Sequence, residues 1–241
     1  MAALILSNVS KTYTIDSRPV AALTDINLMV EAGEFVTIVG RSGCGKTTLL
    51  RLIAGLEQKT SGQLVFTPPN AKIGLVFQEP RLMPWLTVES NMAFAMLKES
   101  NRDHVQQTVN HYLKLLGLED FRQAYPSEIS GGMAQRTALG RALCYNPDII
   151  LMDEPLGALD AFTRASLQRE LVHIFRLACK TILFVTHDVD EAALLGQRII
   201  IMSEGKILKD VPVPLTYPRN TASKEFYDIR TQVLQTIMEG Q

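Results

Sequence analysis

Gly40-Arg41-Ser42-Gly43-Cys44-Gly45-Lys46-Thr47 fills every fixed position of the G-x-x-x-x-G-K-[ST] phosphate-binding pattern, and no other run constrains the fold as much. The residues before it, Phe35–Val39, read as a buried strand, and residues 47–54 read as the helix that follows. A loop so placed can turn successive backbone N–H groups toward one anion, with glycine where a side chain would obstruct the curl. The helix N-terminus adds the positive end of its dipole. Residues from Gly40 to Thr48 are therefore expected to cradle the phosphates of a nucleoside triphosphate. Lys46 would reach the β- and γ-phosphates, and the Thr47 hydroxyl would ligate Mg²⁺. An ordinary glycine-rich turn is the competing reading, and the strand and helix on either side disfavour it.

The chain of 241 residues suits one large α/β domain, with 46% apolar and 20% charged residues in ordinary globular proportion. Its 24 basic and 25 acidic side chains leave a net charge of -1, so no nucleic-acid partner is expected. No apolar run approaches the ~18–20 residues that span a bilayer. The first residues lack the basic flank and length of a signal peptide. Cys44, Cys144 and Cys179 are odd in number and without metal spacing, as free thiols of a reducing compartment would be. A cytoplasmic location follows as the expectation.

Short apolar runs at 4–9, 26–30, 35–39, 63–66, 73–77, 149–152, 182–185 and 199–202 read as strands. Several have no polar alternation, which fits strands buried on both faces of a mixed or parallel sheet. Residues 88–97, 104–116 and 131–143 instead show helical spacing, with no strand among them. The expectation is a nucleotide-binding core at 1–85 and 149–220, interrupted by a helical insertion at 86–148 of roughly 60–70 residues. Pro68-Pro69-Asn70 and Pro212-Val213-Pro214 mark turns. Residues 223–241 read as a helix with Phe226, Ile229, Val233 and Ile237 on one face, docked on the core or offered to a partner.

Hydrolysis needs more than a cradle. The run Ile149-Ile150-Leu151-Met152-Asp153-Glu154 is an apolar strand ending in two carboxylates, where such a sheet opens on its ligand crevice. Asp153 is placed to hold Mg²⁺ through its water shell, and Glu154 to polarise an attacking water. The competing reading is an acidic pair that merely turns the chain. Ser130-Gly131-Gly132 would open a helix and so supply a second set of free N–H groups for an anion.

The stretch Ser130-Gly131-Gly132-Met133-Ala134-Gln135-Arg136 resembles the signature motif of the ATP-binding-cassette (ABC) ATPase family, and other marks of that family stand in order around it. Tyr13 sits where the family has an aromatic that stacks on adenine. Gln78 follows the 73–77 strand as the Q-loop glutamine does, which implies contact with Mg²⁺. Gly157-Ala158-Leu159-Asp160 matches the D-loop, and Thr186-His187-Asp188 matches the switch-histidine segment, which implies that His187 contacts the γ-phosphate. The match covers essentially the whole chain. It implies one ABC ATPase domain: a P-loop NTPase (RecA-like) sheet core, an antiparallel β region and an inserted α-helical subdomain. It also implies ATP and Mg²⁺ as cofactors, with Glu154, His187, Gln78 and Lys46 catalytic. Two copies would pack head to tail, each ATP lying between Lys46 of one and Ser130–Gly132 of the other, with Asp160 near the shared site. Ile129 stands where the family commonly has Leu, Met133 where it usually has Gln, and Arg41 where Pro is frequent.

Met133, the loop Gln78-Glu79-Pro80-Arg81-Leu82-Met83-Pro84-Trp85 and the run 153–164 are similar to the nitrate/sulfonate/taurine importer branch. That likeness implies an ATPase at the cytoplasmic face of the inner membrane. It would dock beneath a separate permease fed by an extracytoplasmic binding protein. Leu82, Met83, Trp85 and Leu86 would help receive a permease helix, or else cap the insertion's own core. An export or lipid-trafficking ATPase and a soluble ABC mechanoenzyme are the alternatives.

Overall fold

The computed structural model describes residues 2–178 and 180–240; Cys179, expected as a free thiol, lies outside them. Two 14-residue strands, β1 (Ala2–Ile15) and β2 (Arg18–Glu31), open the fold as an antiparallel hairpin. Its turn, Asp16-Ser17, has both φ angles positive at 48° and 62°, which matches the twist of the flanking strands. Both strands run well past the predicted 4–9 and 26–30. Their outer halves are half-exposed and carry Ser10, Lys11, Thr12 and Thr14, so an apolar-run criterion overlooks them.

β3 (Phe35–Val39) leads through the glycine loop into α1 (Lys46–Ile53), and β4 (Ser61–Phe66) then returns to pair with β1. The antiparallel sheet has the order β2-β1-β4. The chain continues through β5 (Ile73–Val76), α2 (Val88–Ala93), α3 (Arg102–Leu115), α4 (Gly131–Cys144), β6 (Ile149–Asp153), α5 (Ala161–Ala178), β7 (Thr181–Thr186), α6 (Val189–Leu195), β8 (Arg198–Ser203), β9 (Lys206–Pro212) and α7 (Lys224–Glu239).

The second sheet runs β5-β6-β7-β3-β8-β9, parallel throughout except for β9. Every residue of β3 and β7 is buried, as predicted from their lack of polar alternation. β9 was not among the predicted strands, and its last residue, Pro212, was read as part of a turn or linker; β9 lies at the sheet edge, where a missing N–H costs no ladder bond. One apolar cluster joins α1 and the antiparallel sheet to one face of the parallel sheet. Another joins α2, α3, α4 and α5 to the opposite face.

No strand interrupts 77–148, so the predicted helical insertion is present. Its first helix is shorter than the predicted 88–97: the α-helix stops at Ala93 and a 3-10 turn, Phe94–Met96, follows. Gly140 of α4 lets the helices approach, since a Cβ there would lie 2.5 Å from Met92 Cε and 2.9 Å from Leu116 Cδ1. The last helix, α7, buries Phe226 and Val233 and packs Ile229 and Ile237 against α6, β8 and β9. Core packing therefore accounts for that face.

Candidate functional site

Because β3, β5, β6 and β7 are parallel, their C-terminal ends emerge at one edge, and β6, β7 and β3 are neighbours. The glycine loop, Gln78, Asp153-Glu154 and His187 all follow those ends, so residues more than a hundred positions apart in sequence converge. This is the crevice position expected of an open parallel sheet.

The loop is built as a concave backbone. Gly43 and Gly45 have φ of 81° and 104°, in the left-handed region that glycine enters without strain. Gly45 caps α1, and a Cβ on it would strike Ala22 O at 2.7 Å, so the loop is also pressed against β2. Lys46 is almost wholly buried, its ammonium donating to Gly40 O at 2.8 Å and Arg41 O at 3.0 Å. Cys44 is buried beside it, while Arg41, Ser42 and Gly43 face solvent. Thr48, the third residue of the helix, is half-buried.

The Thr47 hydroxyl donates to Asp153 Oδ1 at 3.1 Å and so joins the two halves of the site. Burial pushes the Asp153 carboxyl upward, against the Thr47 hydrogen bond; neighbouring Glu154 adds to the rise. Glu154 sits at φ 45° with its N–H on Val185 O at 2.9 Å, so the backbone is turned sharply where β6 ends. Its Oε2 lies 2.8 Å from His187 Nδ1. A Cβ on Gly157 would lie 3.5 Å from Gln78 Nε2 and 3.9 Å from Glu154 Oε2, which places Gln78 and Glu154 around one point. The assembled groups are an ammonium, a hydroxyl, two carboxylates, an amide and an imidazole, arranged to hold phosphate oxygens and a hard cation and to orient a water.

Five predicted site residues, Ser130, Gly131, Gly132, Asp160 and Tyr13, make no hydrogen bond to this cluster among the described residues. Ser130 caps α4, its hydroxyl accepting from Met133 N at 3.3 Å. Among the described residues no hydrogen bond connects Ser130, Gly131 or Gly132 to the glycine loop. Gly132 packs on α5, where a Cβ would strike Thr163 Cγ2 at 2.3 Å, while Gly131 faces open space. Asp160 Oδ1 accepts from Phe162 N at 3.0 Å and Thr163 N at 3.1 Å; a hydrogen bond from the Thr163 side chain first, and these backbone bonds with it, hold its carboxyl below the usual range. Tyr13 is half-exposed on β1 opposite Val20, with Lys11 Nζ 4.6 Å from its ring centre. Met133, standing where an amide was expected, packs on the helical core instead.

Residues not anticipated from sequence hold the loop at 77–87. From α4, Gln135 Nε2 donates to Phe77 O at 3.1 Å, and Arg141 donates to Arg81 O and Pro80 O, both at 2.9 Å. From α2, buried Asn91 donates to Met83 O, Leu86 O and Thr87 O and accepts from Met83 N. Pinned in this way, the loop carries Trp85 at its tip, 72% exposed, with Leu82, Met83 and Leu86 half-buried.

A parallel sheet with a glycine loop on α1, a hydroxyl-to-carboxylate bridge and a helical insertion together define a P-loop nucleotide-binding cassette. The ABC transporter family's sequence pattern matches residues 23–157. The chain belongs to that family, and like its cassettes it binds ATP and hydrolyses it. It is 46% identical over 98% of its length to the aliphatic sulfonates import ATP-binding protein SsuB of Bacillus cereus, 96% of which is covered. The Bacillus subtilis protein of that name is 43% identical, with 96% of this chain and 93% of the relative aligned. Among solved structures, the ATP-binding cassette MJ0796, dimeric and bound to ADP and Pi, superposes with a TM-score of 0.79. Its identity is 33% over 88% of this chain and all of that one. These likenesses bear out the predicted family and fold.

Proposed function

We propose that this chain is the ATPase subunit of an importer for a small oxyanion or sulfonate-type substrate, working as a head-to-tail pair beneath a separate permease. The observation that carries the reading is the Thr47–Asp153 bridge at 3.1 Å, which ties the phosphate loop to the strand-end carboxylates. The import proteins of Bacillus named above support the transport direction and substrate class.

Lys46 and the N–H groups of residues 40–48 bind the phosphates, and Tyr13 stacks on the base. Thr47, Asp153 and Gln78 supply hard oxygen donors; among the described residues no cluster of three or more His, Cys, Asp or Glu could hold a metal alone. A set with a single carboxylate fits Mg²⁺, which is bound through one or two carboxylates and completes its shell with phosphate and water. Bound there, Mg²⁺ would neutralise charge on the phosphates. Glu154 orients and deprotonates water, Gln78 helps position it, and His187 contacts the γ-phosphate.

Ser130, Gly131 and Gly132 offer N–H groups at the α4 N-terminus, and a second copy's nucleotide is the anion they suit. Asp160 lies on the same approach. The exposed Trp85 and its neighbours Leu82, Met83 and Leu86 form the contact for a permease helix. Among the described residues no helix is long and apolar enough to cross a membrane, in keeping with a peripheral seat on the inner membrane's cytoplasmic face.

A pull-down of tagged Glu154→Gln in mild detergent, with ATP and Mg²⁺, tests this. A polytopic permease together with an extracytoplasmic binding protein is expected, and ligand screening of that binding protein identifies the substrate. Recovery of soluble or ribosomal partners alone would overturn the transport reading and leave the ATPase site intact.

A further inference from the structure

We propose that Arg164 is a positioning residue that links the loop ending at Leu159-Asp160 to the turn carrying His187, so that these parts of the site shift together. The inference rests on the role given to His187 above.

Arg164 stands in the first turn of α5. Its N–H bonds to Asp160 O at 2.9 Å and its Nη2 donates to Leu159 O at 3.1 Å, so the residue is anchored to the loop before it. Its other atoms face the opposite wall: Nη1 is 3.9 Å from Asp188 Oδ2, and Nε is 3.7 Å from Glu191 Oε1.

Those two carboxylates follow His187 and fix the residues next to it. Asp188 caps α6 through Asp190 N at 2.8 Å and Glu191 N at 3.2 Å. Glu191 Oε2 accepts from Thr186 Oγ1 at 2.8 Å, and that hydroxyl in turn accepts from Asp188 N at 3.0 Å. The residues on either side of His187 are thus held by groups that Arg164 faces. Glu191 is itself almost fully buried, at 5% exposure; Gln168 Nε2 donates to its Oε1 at 3.4 Å, and Arg164 is the cation that faces the same oxygen.

The distances give the arrangement its character. Both carboxylate contacts lie beyond hydrogen-bond range, and Arg164 Nε is buried without a hydrogen-bond partner. An approach of about 1 Å would convert both into charge-assisted bonds of roughly 2.7–2.9 Å. The link is therefore loose at rest and tightens when the 157–160 loop and the His187 turn draw together. A second copy pressing on that loop would be felt at His187 by this route.

Steady-state ATP hydrolysis by the full chain tests the link, with Arg164→Ala, Arg164→Lys, Glu191→Gln and His187→Ala alone and combined, and with thermal unfolding alongside. Arg164→Ala should lower kcat by about ten-fold or more, with KM for ATP and Tm little changed. Arg164→Lys should recover part of the loss, and Arg164→Ala should cost nothing further once His187→Ala is present. Should Arg164→Ala fail to fold, the near-isosteric Glu191→Gln is expected to show the same fall in kcat. An unchanged kcat, a loss expressed in KM, or a loss fully additive to that of His187→Ala would overturn the proposal. Full activity in the His187→Ala single variant would overturn the histidine's role itself, and is read independently of Arg164.

Discussion

His187 Nδ1 lies 2.8 Å from Glu154 Oε2, so the two groups assigned to water activation and phosphate contact are hydrogen-bonded to each other. The pairing is built into the sheet: Asp153 and Val185 are partners across β6 and β7, and each chemical residue lies one or two positions further on. An ionised carboxylate only accepts, so the proton shared by the pair sits on Nδ1 and Nε2 is left for a third group. The second Glu154 oxygen remains for water.

Replacing Glu154 by Gln keeps the shape and removes the base. Hydrolysis should fall by about 100-fold or more with ATP binding retained. Single-turnover assays beside equilibrium nucleotide binding check this; rapid turnover by the variant would remove Glu154 as the base.

Lys46→Ala deletes the ammonium held between Gly40 O and Arg41 O. ATP affinity should drop at least about ten-fold, the size of one lost charge-assisted contact. Isothermal titration with ATP measures it, and unchanged affinity would argue against the phosphate-loop role.

Ser130→Arg places bulk and positive charge at the cap of α4, where a second copy's nucleotide is proposed to sit. In the Glu154→Gln background, ATP-dependent dimerisation followed by size exclusion should disappear while monomer ATP binding persists. A dimer that still forms would contradict the composite site.

Burial pushes the Cys144 thiol up to about 12. Its folded value lies above the unfolded one, so its contribution to stability is full below the unfolded pKa of about 9 and is lost as pH rises through the folded value. At pH 8 iodoacetamide should leave Cys144 unmodified in the native protein and label it after denaturation, as read by peptide mass mapping.

Asn91→Ala removes the side-chain partner of three carbonyls and one N–H of the loop at 83–87, although Met83 O and Thr87 O keep the backbone donors Leu86 N and Asn91 N. A loss of about 1–3 kcal/mol in unfolding stability is expected from chemical denaturation, together with faster hydrogen exchange confined to that loop.

What the sequence made legible follows from how local each signal is. The glycine loop, the 149–154 run and the C-terminal helix each carry their pattern within a few neighbours, and each is found where it was read. β9 escaped because Pro212 looks like a turn until its edge position is known. Gln135, Arg141 and Asn91 escaped for another reason. Their importance lies in carbonyls of another segment, a relation between distant positions that no periodicity records. Arg164 and Glu191 are of the same kind, one on α5 and the other on α6.

Helix α4 begins at Ser130 and, further along, grips Phe77, Pro80 and Arg81 through their carbonyls. One rigid rod thus reports on two surfaces that are far apart. Thermodynamic linkage then makes their traffic symmetric: any molecule that prefers one placement of the Trp85 loop must change the affinity for whatever meets the α4 N-terminus. The reverse effect must have the same factor. Two binders at these surfaces need never touch in order to set each other's terms.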